Sequence, residues 1–86
     1  MRIFYATSFR RAYRKLSAEH QQRVNTVLQF FLANPFDPRL HNHTLAGSKR
    51  NLRSISAGYD LRILYAQRGT HAVVLLITVG THDEVY

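Results

Sequence analysis

The hydrophobic period of the chain changes near residue 50. Upstream, between Ser17 and Asn34, the apolar residues Val24, Val27, Leu28, Phe31 and Leu32 recur every three or four positions. Downstream, in "DLRILYA" (60–66), Leu61, Ile63 and Tyr65 alternate with Asp60, Arg62 and Leu64. A period of 3.6 lays one stripe of a helix on a core, and a period of two buries one face of a strand. The chain must therefore supply helices first and a sheet second, which predicts an α+β fold with the helices gathered on one face of the sheet.

Smaller signals fill in the order of elements. "RIFYAT" is rich in aromatic and β-branched residues and predicts a first strand at about 2–7. Ser8 stands at an N-cap position, and Phe9, Ala12, Tyr13 and Leu16 follow at helical spacing. Ser17 caps a second helix, which Asn34 before Pro35 ends. Residues 35–49 read as a loop. "RNLRSISA" (50–57) reads as a strand, Gly58 and Tyr59 as a turn, and Gln67 to Thr70 as a second turn. "HAVVLLITV" (71–79) is almost wholly apolar and predicts a central strand. The predicted order is β-α-α-β-β-β in one domain over 1–86. A helical hairpin packs on one face of an antiparallel sheet and leaves the other face open; the partner of the first strand is not readable.

Charge narrows the function classes. Twelve Lys and Arg face five Asp and Glu for a net charge of +7, and ten of the cations are Arg. The planar guanidinium fork binds phosphate bidentately, so this balance points to a polyanion or an acidic protein partner. There is no cysteine, no apolar run long enough to span a bilayer and no signal-peptide pattern at the N-terminus, and a cytoplasmic location is expected.

The polar residues of the second half converge if the strands are antiparallel. Arg62 and Asp60 share a side of one strand, Arg53 lies on the strand before, the loop with His41 and His43 runs into that strand, and His82 follows the last one. Asp60 serves equally as a cap of the turn at Gly58. Tyr86 fits a core aromatic as well as a site residue, and His20 and His71 read as solvated. "HNH" (41–43) lacks the further Cys or carboxylate pattern of a metal site, so no metal or cofactor is assigned. Histidines, a carboxylate and guanidiniums together suit RNA cleavage by its own 2′-OH. A base takes the hydroxyl proton, an acid protonates the leaving oxygen, and cations hold the charge of the phosphorane.

Three elements carry a family likeness: "HTLAG" (43–47), "DLRILY" (60–65) and "GTHDEVY" (80–86), in this order after two helices. Together they resemble the YafQ branch of the RelE/ParE toxin superfamily. The resemblance implies the toxin of a type II toxin–antitoxin system, an endoribonuclease that cuts mRNA in the ribosomal A site and is silenced by a cognate antitoxin. By that likeness His43 matches the loop histidine, Asp60 the strand carboxylate, His82 the near-terminal catalytic histidine and Arg62 the strand arginine; the roles assigned are His82 as general acid or proton shuttle, His43 or Asp60 as base, and Arg62 with Arg53 as phosphate ligands. RNA contacts are assigned to Arg53, Tyr86, His41, Arg50 and Lys49. Three features depart from the pattern, one being that the Lys-rich helix surface of RelE proper is mostly Arg here. Only Ser54 and Ser56 stand where the YafQ type often has another histidine, and Leu61 replaces an aromatic. The alternative is a ParE-like toxin, which inhibits DNA gyrase and is no nuclease.

Overall fold

The computed structural model describes residues 1–86 as five strands and three helices. They run β1 (Arg2–Tyr5), α1 (Thr7–Arg14), α2 (Ala18–Ala33), β2 (His43–Thr44), β3 (Arg53–Ser56), β4 (Leu61–Arg68), β5 (Val73–Thr81) and α3 (His82–Val85). Two short 3-10 turns, Pro38–Leu40 and Gly47–Lys49, flank β2. The sheet order is β1-β5-β4-β3-β2.

The apolar stripes set this arrangement. Phe9 of α1 and Val24, Val27 and Phe31 of α2 are buried against Ile55, Leu61, Ile63, Tyr65, Val74, Leu76 and Val79 of the sheet. The Phe31 ring meets Tyr65 edge-on at 4.9 Å. Ser17 caps α2 as expected, its hydroxyl accepting from the His20 amide at 3.1 Å, and Asn34 closes the helix. Leu32 does not join the stripe and is 52% exposed. At 100° per residue it lies roughly a quarter-turn from the centre of Val24, Val27 and Phe31.

Four expectations need correction. Helix α1 starts two residues early, at Thr7, with Ala6 before it in the N-cap position. Ser8 is therefore inside the first turn, and its hydroxyl donates to the Ile77 carbonyl instead of capping. The sheet is mixed, because β1 lies parallel to β5, with Phe4 beside Leu75. A parallel neighbour needs a long crossover, and residues 6–72 supply it. The segment 35–49 is ordered: Leu40 is fully buried, and β2 adds a fifth strand by pairing His43 with Ser54. Finally, the tail beyond β5 is a helix that lies on the face expected to be open.

One irregularity controls that last point. Leu64 pairs with Thr78 and Tyr65 with Leu76, so Ile77 is an extra residue in β5. A bulge of this kind shifts the alternation by one. Leu76 and Val79 both reach the core, while Thr78 and Gly80 face the other side with Arg62 and Leu64.

Candidate functional site

Two adjoining rows of the face away from α1 and α2 hold the polar residues. In one, His43 of β2 pairs with Ser54, Ser54 with Leu64 and Leu64 with Thr78. In the next, Ser56 pairs with Arg62 and Arg62 with Gly80. Residues directly opposite one another in a ladder point to the same side, so His43, Ser54, Ser56 and Arg62 share this face.

Helix α3 lies over the end of these rows. A Cβ at Gly80 would stand 3.0 Å from Glu84 Oε1 and 3.2 Å from Val85 Cγ1, so the absence of a side chain lets α3 approach. Val85 and Leu64 are both buried. The helix is only four residues long, and side chains hold it. Glu84 Oε1 accepts from the Thr81 amide at 2.8 Å, and Thr81 Oγ1 accepts from the Glu84 amide at 3.4 Å, which together make a capping box. The Thr81 backbone amide, helped by its hydroxyl, holds the Glu84 carboxyl below the usual carboxylate range. At the other end Lys49 Nζ donates to the Val85 carbonyl at 2.8 Å and to the Tyr86 carbonyl at 3.2 Å. The Tyr86 hydroxyl bonds to Ser54 Oγ.

This clasp fixes His82. The His82 ring stands edge-on to Tyr86, with centroids 4.5 Å apart. A line of contacts thus runs from His82 through Tyr86 and Ser54 to the row of His43. The Asp83 carboxylate, at 3.4 Å from His82 Nδ1, makes only a weak exposed contact. His43 Nδ1 lies 2.9 Å from the His41 carbonyl, which can only accept. Nδ1 therefore carries the hydrogen, and in the neutral ring Nε2 keeps a free lone pair. Asp60 is exposed in the β3–β4 turn. It precedes Leu61, whose partner Thr81 precedes His82, so Asp60 and His82 leave the same end of the ladder.

Other assigned residues fall elsewhere. Arg53 pairs with Tyr65 on the helix side of the sheet. Its Nε donates to Asn42 Oδ1 at 2.8 Å and its guanidinium stands 5.3 Å from the Phe36 ring centre. It does not share a concavity with Arg62, because neighbouring strand positions point to opposite faces. Lys49 is committed to the tail carbonyls. Arg50 is exposed beyond the second 3-10 turn. His41 is exposed with φ of 50°, and its carbonyl serves His43. No group of three or more His, Asp or Glu side chains is arranged to hold a metal.

The sequence reading missed a buried polar chain behind the site. His71, expected in solvent, is buried in the β4–β5 turn at φ of 69°. Its Nε2 lies 2.7 Å from the Tyr65 hydroxyl, which is 2.6 Å from Asn42 Nδ2. Asn42 also donates to the Pro35 carbonyl at 2.8 Å. Arg53 can only donate, so Asn42 Oδ1 faces it and the amide nitrogen faces Tyr65. Tyr65 then passes its own proton toward His71 Nε2, which must be unprotonated. Burial, and then the positive Arg53, push the His71 pKa down; burial pushes that of Tyr65 up. Asn42 anchors the backbone between His41 and His43. The alternation of polar residues in "HNH" could have singled it out, but nothing in the sequence names its partners.

No family model and no curated protein sequence matches the chain. Solved structures do. The YafQ toxin from E. coli strain BL21(DE3) superposes with a TM-score of 0.82 at 16% identity, over 100% of this chain and 99% of that one. The YoeB/ParE toxin from Agrobacterium tumefaciens gives 0.76 at 17% identity, over 95% and 99%. A chain of the E. coli DinJ–YafQ toxin–antitoxin complex gives 0.78 at 16% identity, over 98% and 94%. The chain has the fold of the RelE/ParE toxins.

Proposed function

We propose that the chain is the toxin of a type II toxin–antitoxin system and a metal-independent endoribonuclease that cuts mRNA on the ribosome. The observation that carries this reading is the shared face of His43, Arg62 and His82, two proton-transfer groups and one cation on one side of a sheet. His43, with Nδ1 tied to the His41 carbonyl, presents Nε2 as the base for the 2′-OH. Asp60, exposed at the His82 end, is the other candidate for that role. His82 gives a proton to the 5′-oxygen, and Arg62 holds the phosphorane charge. Tyr86 orients the His82 ring and offers its exposed side to a base. Arg50 and His41 remain available to RNA on the adjoining loop. Arg10, Arg11 and Arg14 on the outer side of α1 suit long-range attraction to ribosomal RNA. An antitoxin is the expected protein partner and the cytoplasm the expected compartment; no helix of the chain is long and apolar enough to cross a membrane.

Primer extension on a translated mRNA, with and without ribosomes, tests the proposal. The wild type should produce cuts only with ribosomes, and His82→Ala should produce none while keeping the fold and ribosome binding. Cleavage persisting unchanged in the variant removes the role given to His82. Inhibition of gyrase supercoiling without mRNA cuts moves the chain to the ParE-like reading.

A further inference from the structure

The open face carries a second surface that the proposed chemistry does not use. Away from α3, Phe4 of β1 and Val73 and Leu75 of β5 are 46%, 37% and 37% exposed. Phe4 pairs with Leu75 and Leu75 with Ala66, which puts them on the side of Arg62 and Gly80 once the bulge at Ile77 is counted. With Gln67 and Arg68 they line a cavity of about 550 Å³. A contiguous exposed apolar patch marks a binding surface more often than scattered residues do. This one is also positive. The Arg2 guanidinium stands 5.5 Å from the Phe4 ring centre, and Arg68 lies on the rim. No strand of the sheet carries a carboxylate; all five acidic residues lie on helices or turns.

An exposed ring beside a guanidinium, on strands without carboxylates, is the chemistry that stacks a nucleobase and meets its phosphate. We propose that Phe4, backed by Leu75 and flanked by Arg2 and Arg68, is a stacking subsite for a base of single-stranded RNA. Leu75 is five residues from Gly80 along β5, roughly 17 Å at about 3.4 Å per residue. An RNA strand with its scissile phosphate at Arg62 therefore reaches Phe4 within a few nucleotides. The inference rests on the RNA reading above for its ligand. The competing occupant is an acidic peptide added to the free edge of β1.

The chain has no tryptophan, so Phe4→Trp places a single indole in the patch. The probe is a single-stranded 2′-O-methyl oligonucleotide, which lacks the attacking hydroxyl and is not cut. It should quench the indole, whereas polyglutamate and polyphosphate should not. Phe4→Ala should weaken binding of the oligonucleotide on the order of tenfold and leave binding of polyphosphate unchanged. Unchanged oligonucleotide affinity in Phe4→Ala overturns the subsite, as does quenching by polyglutamate at least as strong as by the oligonucleotide. The measurement needs no catalysis. Stacking at Phe4 without mRNA cuts would remove the nuclease reading and leave the subsite; cuts without stacking would do the reverse.

Discussion

The two faces of the sheet treat the same side chain in opposite ways. On the helix side, His71 is buried, deprotonated at Nε2 and bonded to Tyr65, which is bonded to Asn42, which is bonded to Arg53. On the other side, His43 has one ring nitrogen held by a carbonyl and the other unclaimed, and His82 is exposed against Tyr86. A buried histidine bonded to a buried tyrosine stabilises one loop conformation. A histidine held at one nitrogen only has a direction and a free end, which is what proton transfer to a substrate needs. The difference lies in burial and the access of water, since His71 and His43 each have one ring nitrogen bonded and the residue type is the same.

The sharpest contrast is catalytic. His82→Ala and His43→Ala should each reduce mRNA cleavage by roughly 10²–10⁴-fold with little change in melting temperature. His71→Asn should do the reverse, because asparagine tolerates the positive φ but cannot bury the same ring. Quantitative primer extension beside thermal melts separates the two classes, and equal cleavage loss in all three would erase the distinction between the faces.

Tyr65→Phe removes one oxygen and leaves His71 Nε2 and one N–H of Asn42 Nδ2 without a partner, the other N–H staying on the Pro35 carbonyl. A loss of about 1–3 kcal/mol of stability is expected from urea titration. The 15N shifts of His43 should move away from the Nδ1–H tautomer if the loop loosens. A variant as stable as the wild type, with the His43 tautomer intact, would show that the buried chain does not position the loop.

Thr81→Ala removes the hydroxyl of the capping box and should cost about 1 kcal/mol, expressed as fraying of α3. Amide exchange at Val85 and Tyr86 reports it, and unchanged protection would mean that Lys49 and Ser54 hold the helix without the cap.

The mildest test is the pH dependence of folding. The His71 pKa is lowered in the folded protein, so the unfolded chain takes up a proton first, near the ordinary histidine value of about 6.5. Below that pH the unfolded state binds more protons, and stability falls as the solution is acidified. Subtracting the urea-derived stability of His71→Asn from that of the wild type across pH 5 to 8 isolates this contribution. A flat difference would contradict the burial argument.

Periodicity made much of this legible because it reports which face of an element is buried. It located the α2 stripe, the core side of β4 and the central position of β5. It says nothing about which strand lies beside which, so β1 could not be paired and the sheet could not be recognised as mixed. The Thr81–Glu84 spacing is a helix-start signal, but a four-residue helix after a strand leaves no periodic pattern to confirm it. Arg53 falls outside the site because adjacency of two strands does not fix which side a residue faces; its position beside Ile55 and opposite Tyr65 puts it on the helix side. Asn42 and His71 were invisible for a related reason. Each is polar in a polar stretch, and only the folded chain buries them together.

The supernumerary Ile77 has a consequence for inheritance and for engineering alike. Were β5 perfectly regular beyond Leu76, the positions of Gly80 and its successors would swap sides. The terminal turn would then leave toward α1, carrying its imidazole to the wrong hemisphere of the molecule. Removing the Ile77 codon alone would leave these sides unchanged, because Thr78, Val79 and Gly80 keep their partners; keeping Ile77 but forcing it opposite Leu64 would dismantle the constellation with every proposed active-site residue still in place.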